Sequence, residues 1–341
     1  MNAPRNIVIL GPTAGGKSEL AVALAERLEG EVLGADSMQV YRHLDAGTAK
    51  PEPSLRARAP HHLIDIVEPT ERFTVADWLA RAEQTLADLH ARGRRAIVVG
   101  GTNLYLKMLL EGMFRTDADT GHAPAFRATL DAVATPQLHE RLLRIDPAAA
   151  DRIHPNDRLR LVRALEVHHL TGQPISALQT QWQPVRNSKP ETRNFELIGL
   201  DWPRDAINQR INARVKLMFF PAACGLADVE SLPDETRRLE TAGLLGHPGT
   251  QAREALGYKQ VLAALAAERG QPTDRRIRTM EDAFEQTKVL TRRFAKQQRT
   301  WLRRYHNVNW LAMTEPVSMQ ALTNRALACL PPVRQGRRTT R

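Results

Sequence analysis

The stretch that most constrains this chain lies near its start, Ile7-Val-Ile-Leu-Gly-Pro-Thr-Ala-Gly-Gly-Lys-Ser18. Ile7 to Leu10 form an apolar run that predicts a buried strand, and Leu20, Ala21, Leu24, Ala25 and Leu28 then recur at helical spacing. Between them, Gly11-Pro12-Thr13-Ala14-Gly15-Gly16-Lys17-Ser18 is the P-loop pattern in the setting it requires, strand before and helix after. Its glycines let the backbone turn N–H groups inward as an anion nest, and Lys17 adds a mobile positive charge. The Ser18 hydroxyl can ligate magnesium at the helix N-terminus. A glycine-rich turn with no ligand would leave the Lys-Ser ending without a reason.

Strand and helix patterns alternate through the first hundred residues. Strands are expected at Glu31–Gly34, Leu63–Val67 and Ala96–Val99, with a helix over Val75–Ala91 before the last of them. This predicts an α/β fold with a P-loop NTPase-like parallel sheet core. From about Arg115 the texture changes to Ala, Leu and Arg at helical spacing, broken by Thr-Pro, Asp-Pro and His-Pro, with no strand before Phe195–Leu200. A helical insertion domain is the simplest account. After Trp202 only helices are expected, ending in a long one from about Thr273 to Tyr305. The predicted organisation is therefore a core first part over 1–114, a helical insertion over 115–194, core completion over 195–310 and a C-terminal segment, 311–341, whose basic tail is expected to be disordered.

Forty-eight Lys and Arg against 38 Asp and Glu give a formal charge of +10, which favours a polyanionic partner. Two cysteines, Cys224 and Cys329, make neither a disulfide framework nor a zinc cluster. Too few residues precede Gly11 for the apolar region of a secretion signal, and no later apolar run spans a bilayer. A cytoplasmic protein acting as a monomer, without a membrane partner, is the expectation. The adjacent pairs His61-His62 and His168-His169 match no zinc spacing and read as structural.

An ordinary P-loop kinase needs a second carboxylate to hold magnesium, usually an Asp ending an apolar strand. Here the strand best placed for it ends in Gly100-Gly101-Thr102 and carries no acid. The nearer acid is Asp36, which follows the second strand and should sit beside the phosphate nest at the carboxyl ends of the strands. Ser37, Gln39 and Tyr41 come next, groups suited to base edges and stacking. Asp36 is equally well read as a turn or helix cap, and both readings stay open here.

Two further stretches suit a polyanion. Asn156-Asp157 would cap a helix ending near Gly172, with Arg160 and Arg163 on one face, Leu161, Val162 and Leu165 packing inward, and Glu166 as the competing ion-pair partner. In the last long helix, Ile277, Met280, Phe284, Thr287, Thr291, Phe294, Gln298, Trp301 and Tyr305 form one stripe, apolar except at Thr287, Thr291 and Gln298. A second stripe, Lys288, Arg292, Lys296, Arg299 and Arg303, has almost no acid beside it and favours a nucleic-acid contact.

Taken together, GPTAGGKS, DSMQVYR, AGTAKP, PHHLID, VGGTNLYLK, IHPNDRLRLVRALEVHHLTGQP, EALGYKQ and TRRFAKQQRTWLRR make the chain resemble the tRNA dimethylallyltransferases over nearly its whole length to about Tyr305. The resemblance implies transfer of a dimethylallyl group from its diphosphate to the exocyclic amine of the adenosine 3′ of the anticodon, in tRNAs reading codons that begin with U. It implies that the loop Gly11–Ser18 holds the leaving diphosphate, with Arg214 and with magnesium near Ser18. It further implies that Asp36 accepts the amine proton and that Thr102 lies close to the reaction centre. Asp36, Ser37, Met38 and Gln39, the run Arg160, Leu161, Val162, Arg163 and Ala164, and Gly257, Tyr258 and Lys259 match stretches that touch tRNA in that family. Arg292 and Lys296 on the basic helix are expected to join them. The chain departs from the family pattern at Gly15, where a serine is usual, between Met113 and Leu138, which is shorter, and after Arg214, where KLMFFPAACGLADVESL is longer and contains Pro221.

Two other readings fit parts of the sequence. The P-loop and α/β core alone suit an ATP-binding small-molecule or nucleotide kinase, against which stand the missing strand-end acid and the basic helical half. A non-enzymatic RNA-binding module using the loop as an anchor is the second.

Overall fold

The computed structural model describes residues 5–112, 123–179, 195–247 and 249–331. The chain divides into two compact units, residues 1–110 with 192–341, and residues 111–191. The elements in chain order are β1 (Asn6–Leu10), α1 (Lys17–Leu28), β2 (Glu31–Gly34), α2 (Pro53–Arg56), β3 (His61–His62), α3 (Val75–Ala91), β4 (Ala96–Val99) and α4 (Asn103–Glu111). The second unit follows with α5 (Pro124–Asp131), α6 (Thr135–Ile145), α7 (Pro147–Arg152), α8 (Arg158–Thr171) and α9 (Ile175–Leu178). The chain then returns to the first unit through β5 (Phe195–Asp201), α10 (Arg204–Phe219), α11 (Leu232–Thr241), α12 (Tyr258–Glu268), α13 (Met280–Leu302), β6 (Val308–Ala312) and α14 (Met319–Ala328).

The six strands of the first unit form one sheet in the order β3-β2-β4-β1-β5-β6, and every pairing is parallel. Such a sheet is covered on both faces, so its central strands lose the usual alternation of apolar and polar residues. Ile7, Val8, Ile9 and Leu10 in β1 are all fully buried, as are Ile97 and Val98 in β4. Parallel pairing also puts the carboxyl ends of β1, β2 and β4 at one edge, where the loop 11–16, Asp36 and Gly100–Thr102 emerge together.

Local chemistry sets the helix ends. Thr74 and Asp77 form a reciprocal capping box at the start of α3, and Thr279 and Asp282 do the same for α13. In the second unit Asp157 caps α8 by accepting from the Arg160 N–H, and Gly172 ends that helix at φ 67°, a left-handed conformation that glycine adopts without strain. Leu138, Leu142, Leu161, Ala164 and Val167 pack into a core of the second unit's own. No helix among the described residues is long and apolar enough to cross a membrane.

Three expectations are corrected. The third strand is His61–His62, not Leu63–Val67, because Leu63 (φ 62°) and Asp65 (φ 56°) are left-handed and break the extended run; Val67 makes one isolated bridge to Tyr41. A sixth strand, Val308–Ala312, follows the last long helix where only helices were expected. It pairs along one side with β5 and is largely uncovered, so its sequence, Val-Asn-Trp-Leu-Ala, carries no clear period. The long helix begins at Met280 rather than near Thr273 and ends at Leu302, its start fixed by the Thr279 cap. The basic tail beyond residue 331 and the start of the short segment at Met113 lie outside the described residues.

Candidate active site

The loop Gly11–Ser18 is shaped by where its carbonyls go. Pro12 O accepts from Lys17 Nζ at 2.8 Å and from the Gly15 N–H at 3.2 Å. Ala14 O accepts from Arg210 Nε at 2.8 Å, and Gly15 O from Trp202 Nε1 at 3.0 Å. Each of these carbonyls is thus engaged by a donor, a pattern that turns the peptide dipoles of an anion nest outward and leaves N–H groups for a ligand. Gly16 sits at φ 84° and Ala14 at φ 60°, the left-handed conformations such a nest needs. A Cβ at Gly15 would stand 2.8 Å from Pro12 O and 3.3 Å from Trp202 Nε1, so a serine at this position would crowd both.

The cations follow from the same geometry. Lys17 is buried, and burial followed by the neighbouring Arg214 charge pushes its ammonium down to about 8, against the pull of Asp36 and Glu19. Arg214, on α10, donates from Nη1 to Thr13 Oγ1 at 3.2 Å, and burial lowers its pKa as well. Arg210, one turn earlier, stacks over the Trp202 ring at 4.7 Å and pairs with Glu315.

Across the sheet edge, Asp36 caps the turn after β2: its Oδ1 accepts from the Met38 N–H at 3.0 Å and the Gln39 N–H at 3.4 Å. The capping role is therefore filled by Oδ1, and Oδ2 lies toward the strand end of β4. A Cβ built on Gly101 would lie 3.0 Å from Asp36 Oδ2, 3.1 Å from Gln298 Nε2 and 4.0 Å from Phe294 Cε1, so these three side chains converge there. Thr102 Oγ1 accepts from the Ser37 N–H at 2.8 Å and approaches Ser37 Oγ at 3.1 Å, joining the two strand ends. Gln39 donates its amide to Thr48 O and Ala49 O.

The phosphate loop and Asp36 line one cavity of about 1050 Å³. Its wall is polar near Thr13, Lys17 and Ser18 and apolar at Leu217, Met218 and Phe294. A volume at the upper end of ligand pockets suits more than one small reactant. Among the described residues no group of three His, Cys, Asp or Glu side chains converges to hold a metal ion. The half-buried Ser18 hydroxyl beside an anion nest instead suits an ion that arrives with phosphate oxygens and keeps several waters, which is the habit of magnesium.

The remaining expected residues are spread further. Tyr258 is fully buried and its hydroxyl donates to Glu235, so of Gly257, Tyr258 and Lys259 only Lys259 offers an exposed side chain, itself paired with Glu254. Arg292 donates to Asn212 Oδ1 at 2.8 Å, whereas Lys296 is exposed and has no ion-pair partner among the described residues. Lys288 pairs with Glu285, so the basic stripe has one acid beside it. In the second unit Arg160 is exposed, Val162 is half-buried, and Leu161 and Ala164 are buried. Arg163 pairs at 2.7 Å with Glu166, whose side chain is fully buried and also held by Arg127 at 2.6 Å. Burial alone would raise the Glu166 carboxyl, but the two arginines and the Ala123 N–H hold it at about 2. The ion-pair reading of that helix face therefore applies to Arg163. Three of the four paired histidines have partners: His61 on Ala59 O, His62 on Glu31, and His169 stacked on Phe126 at 4.1 Å.

Gln298, Trp202 and Arg210 were not singled out as site residues from sequence. Gln298 left a signal, a polar group on an apolar stripe: it accepts from the Thr13 N–H at 2.8 Å and donates to Gly101 O at 2.8 Å. Thr287 and Thr291 left the same signal but bond the carbonyls of Ala283 and Thr287 in their own helix. Trp202 and Arg210 left none.

A P-loop on a parallel sheet, sharing one cavity and its apolar wall with the Asp36 carboxylate, is the arrangement of a group transferase that binds a phosphorylated donor. Comparison with known proteins narrows the class. The family model described as IPP transferase matches residues 39–305, and a second, described as isopentenyl transferase, matches residues 5–61. The chain is 43% identical over 309 residues to the tRNA dimethylallyltransferase of Geobacter sulfurreducens, covering 89% of this chain and 91% of that relative. It is similar to the crystal structure of the tRNA isopentenylpyrophosphate transferase of Bacillus halodurans, with a TM-score of 0.64, 35% identity and coverage of 95% and 96% of the two chains. It is also similar to a eukaryotic dimethylallyltransferase captured acting on tRNA, with a TM-score of 0.73, 26% identity and coverage of 98% and 82%. This chain belongs to the IPP transferase family.

Proposed function

We propose that this protein transfers a dimethylallyl group from dimethylallyl diphosphate to the exocyclic amine of the adenosine 3′-adjacent to the anticodon in tRNAs reading U-starting codons. The products are isopentenyladenosine and diphosphate. The observation that carries this reading is the shared cavity: the Asp36 carboxylate faces the same space as the phosphate loop, while the strand end that would serve a kinase has only Gly100, Gly101 and Thr102.

The adenine amine is a weak nucleophile, because its lone pair is delocalised into the ring. Dimethylallyl diphosphate, by contrast, ionises readily once its leaving charge is neutralised. The loop N–H groups other than those of Thr13 and Gly15, with Lys17, the Thr13 hydroxyl and Arg214, bind the diphosphate and stabilise that charge as the C–O bond breaks. Magnesium held near Ser18, when bound with the donor, supplies further charge neutralisation. The amine nitrogen forms the new C–N bond and its proton passes to Asp36, whose Met38 and Gln39 hydrogen bonds fix the carboxylate's direction. Thr102 steadies the turn that carries Asp36.

The target base must leave the anticodon-loop stack, at a cost of a few kcal/mol. Ser37, Met38 and Gln39 beside the cavity, with Lys259, Arg292 and Lys296, are assigned to the RNA. So are Arg160 to Ala164 of the second unit, where Arg160 carries the exposed charge, 3.4 Å from Asp157. One chain contains the whole cavity, so a monomer suffices, working in the cytoplasm where its tRNA substrates are found.

The test is incubation of the purified protein with an anticodon stem-loop, magnesium and dimethylallyl diphosphate, followed by mass measurement of the RNA. A gain of one isopentenyl unit on the target adenosine is expected. Asp36→Asn should slow turnover by ~10²- to 10⁴-fold with RNA affinity held within a few-fold. ATP hydrolysis without RNA transfer would support a kinase instead.

A further inference from the structure

Along the face of α13 that carries Thr287, Thr291 and Gln298, these three are 1%, 9% and 1% exposed, yet Phe294 between them is 38% exposed. Phe294 lines the cavity described above. An aromatic ring exposed on a face whose Thr287, Thr291 and Gln298 are buried, and lining the cavity with Leu217 and Met218, has apolar surface left for an occupant. Its position within that cavity is specific. Phe294 Cε1 and Asp36 Oδ2 approach the same point above Gly101, to 4.0 and 3.0 Å. Phe294 is also one turn from Gln298, which touches the phosphate loop, and lies on the helix that carries Arg292 and Lys296.

We infer that Phe294 is the stacking platform for the extruded purine. The inference rests on the prenyl-transfer reading and adds to it the group that receives the base. A purine that leaves the anticodon stack loses both of its faces' contacts, and the surface that most directly replaces one is another π-face, worth a substantial part of the binding of each base. A base lying flat on Phe294 presents its Watson–Crick edge, where the exocyclic amine is, sideways toward Asp36. The same ring set against the five-carbon chain of the donor would act as plain apolar surface, which a leucine supplies equally well. That difference makes the two occupants separable.

The experiment uses the full chain with two stem-loops, one carrying adenosine at the target position and one an abasic nucleotide there. Phe294→Leu should raise KM for the adenosine stem-loop about tenfold, leave KM for dimethylallyl diphosphate within twofold, and leave the melting temperature nearly unchanged. Phe294→Tyr should return KM for the RNA to within threefold of the unaltered protein. Direct binding closes the cycle: the loss of affinity on Phe294→Leu should appear with the adenosine stem-loop and vanish with the abasic one. An RNA KM untouched by Phe294→Leu, an affinity loss of equal size on the abasic stem-loop, or an effect confined to the donor KM would each overturn the inference. Failure of the unaltered protein to modify the adenosine stem-loop would instead sink the prenyl-transfer reading, and the platform with it.

Discussion

Gln298 and Thr13 stand 285 residues apart in sequence and are joined by a 2.8 Å hydrogen bond, the Thr13 N–H donating to the Gln298 side chain. The same side chain donates to Gly101 O, so one buried amide spaces the phosphate loop from the strand end that faces Asp36. Gln298→Met keeps the volume and removes both bonds, leaving a half-buried donor and acceptor beside the cavity at a cost of about 1 kcal/mol. A lower melting temperature and a several-fold rise in KM for dimethylallyl diphosphate are expected. Gln298→Glu keeps the acceptor, loses the donor and places a negative charge beside the diphosphate, so its donor KM should rise further still. Steady-state kinetics with donor KM unchanged in both variants would show that the spacing does not depend on this amide.

Lys17 gives the reaction a basic limit. Its ammonium titrates at about 8 rather than 10.5 in the free protein, so the cation is present below that pH and lost above it. The value kcat/KM for the donor reports groups of the free enzyme and should fall as pH rises through about 8. Folding runs the other way. The unfolded chain binds this proton up to about 10.5 and the native one only to about 8, so the unfolded state holds more protons in that window and Lys17's contribution to stability increases with pH across it. Lys17→Met should therefore flatten the basic limb, abolish most donor binding and leave the ligand-free fold at least as stable at pH 7. A donor kcat/KM profile that stayed level to pH 9.5 would refute the assignment.

Arg160 and Arg163 should separate into binding and stability. Arg163 neutralises the fully buried Glu166 and Arg160 is exposed beside Asp157. Arg163→Ala removes one of the two arginines that hold Glu166 and should destabilise the second unit by about 1–2 kcal/mol. Arg160→Ala should leave the melting curve in place and weaken RNA binding more at low salt than at high salt. Identical melting behaviour of the two variants would show that the ion pair contributes nothing measurable.

The sheet core was legible because its strands are continuous apolar runs bounded by glycine, as at Ile7–Leu10 and Ala96–Val99, and such runs need no partner to be recognised. The loop and Asp36 were legible because their chemistry is local. What escaped is non-local or lacks a period. His61–His62 is too short to show a pattern, and β6 lies at the sheet edge, where one side is free and alternation is unconstrained. Trp202 and Arg210 act on carbonyls of Gly15 and Ala14 some two hundred residues upstream, and backbone acceptors leave no mark on a side-chain sequence. Thr287 and Gln298 broke the same stripe for different reasons. One is satisfied within its own helix and the other across the site, a distinction that only packing reveals.

The side chains that hold the loop come from the β5–α10 segment, where Trp202 and Arg210 donate to its carbonyls, and from α13, where Gln298 accepts from its Thr13 N–H; both follow the second unit in sequence, whereas the loop itself directly follows β1. A ribosome therefore delivers the anion cradle among the first segments and its last strut only when residue 298 has been added. Nascent chains arrested before that residue carry the full GPTAGGKS signature yet lack the means to keep it in working shape. Prenylation competence thus arrives late in synthesis, as a property of the nearly finished polypeptide.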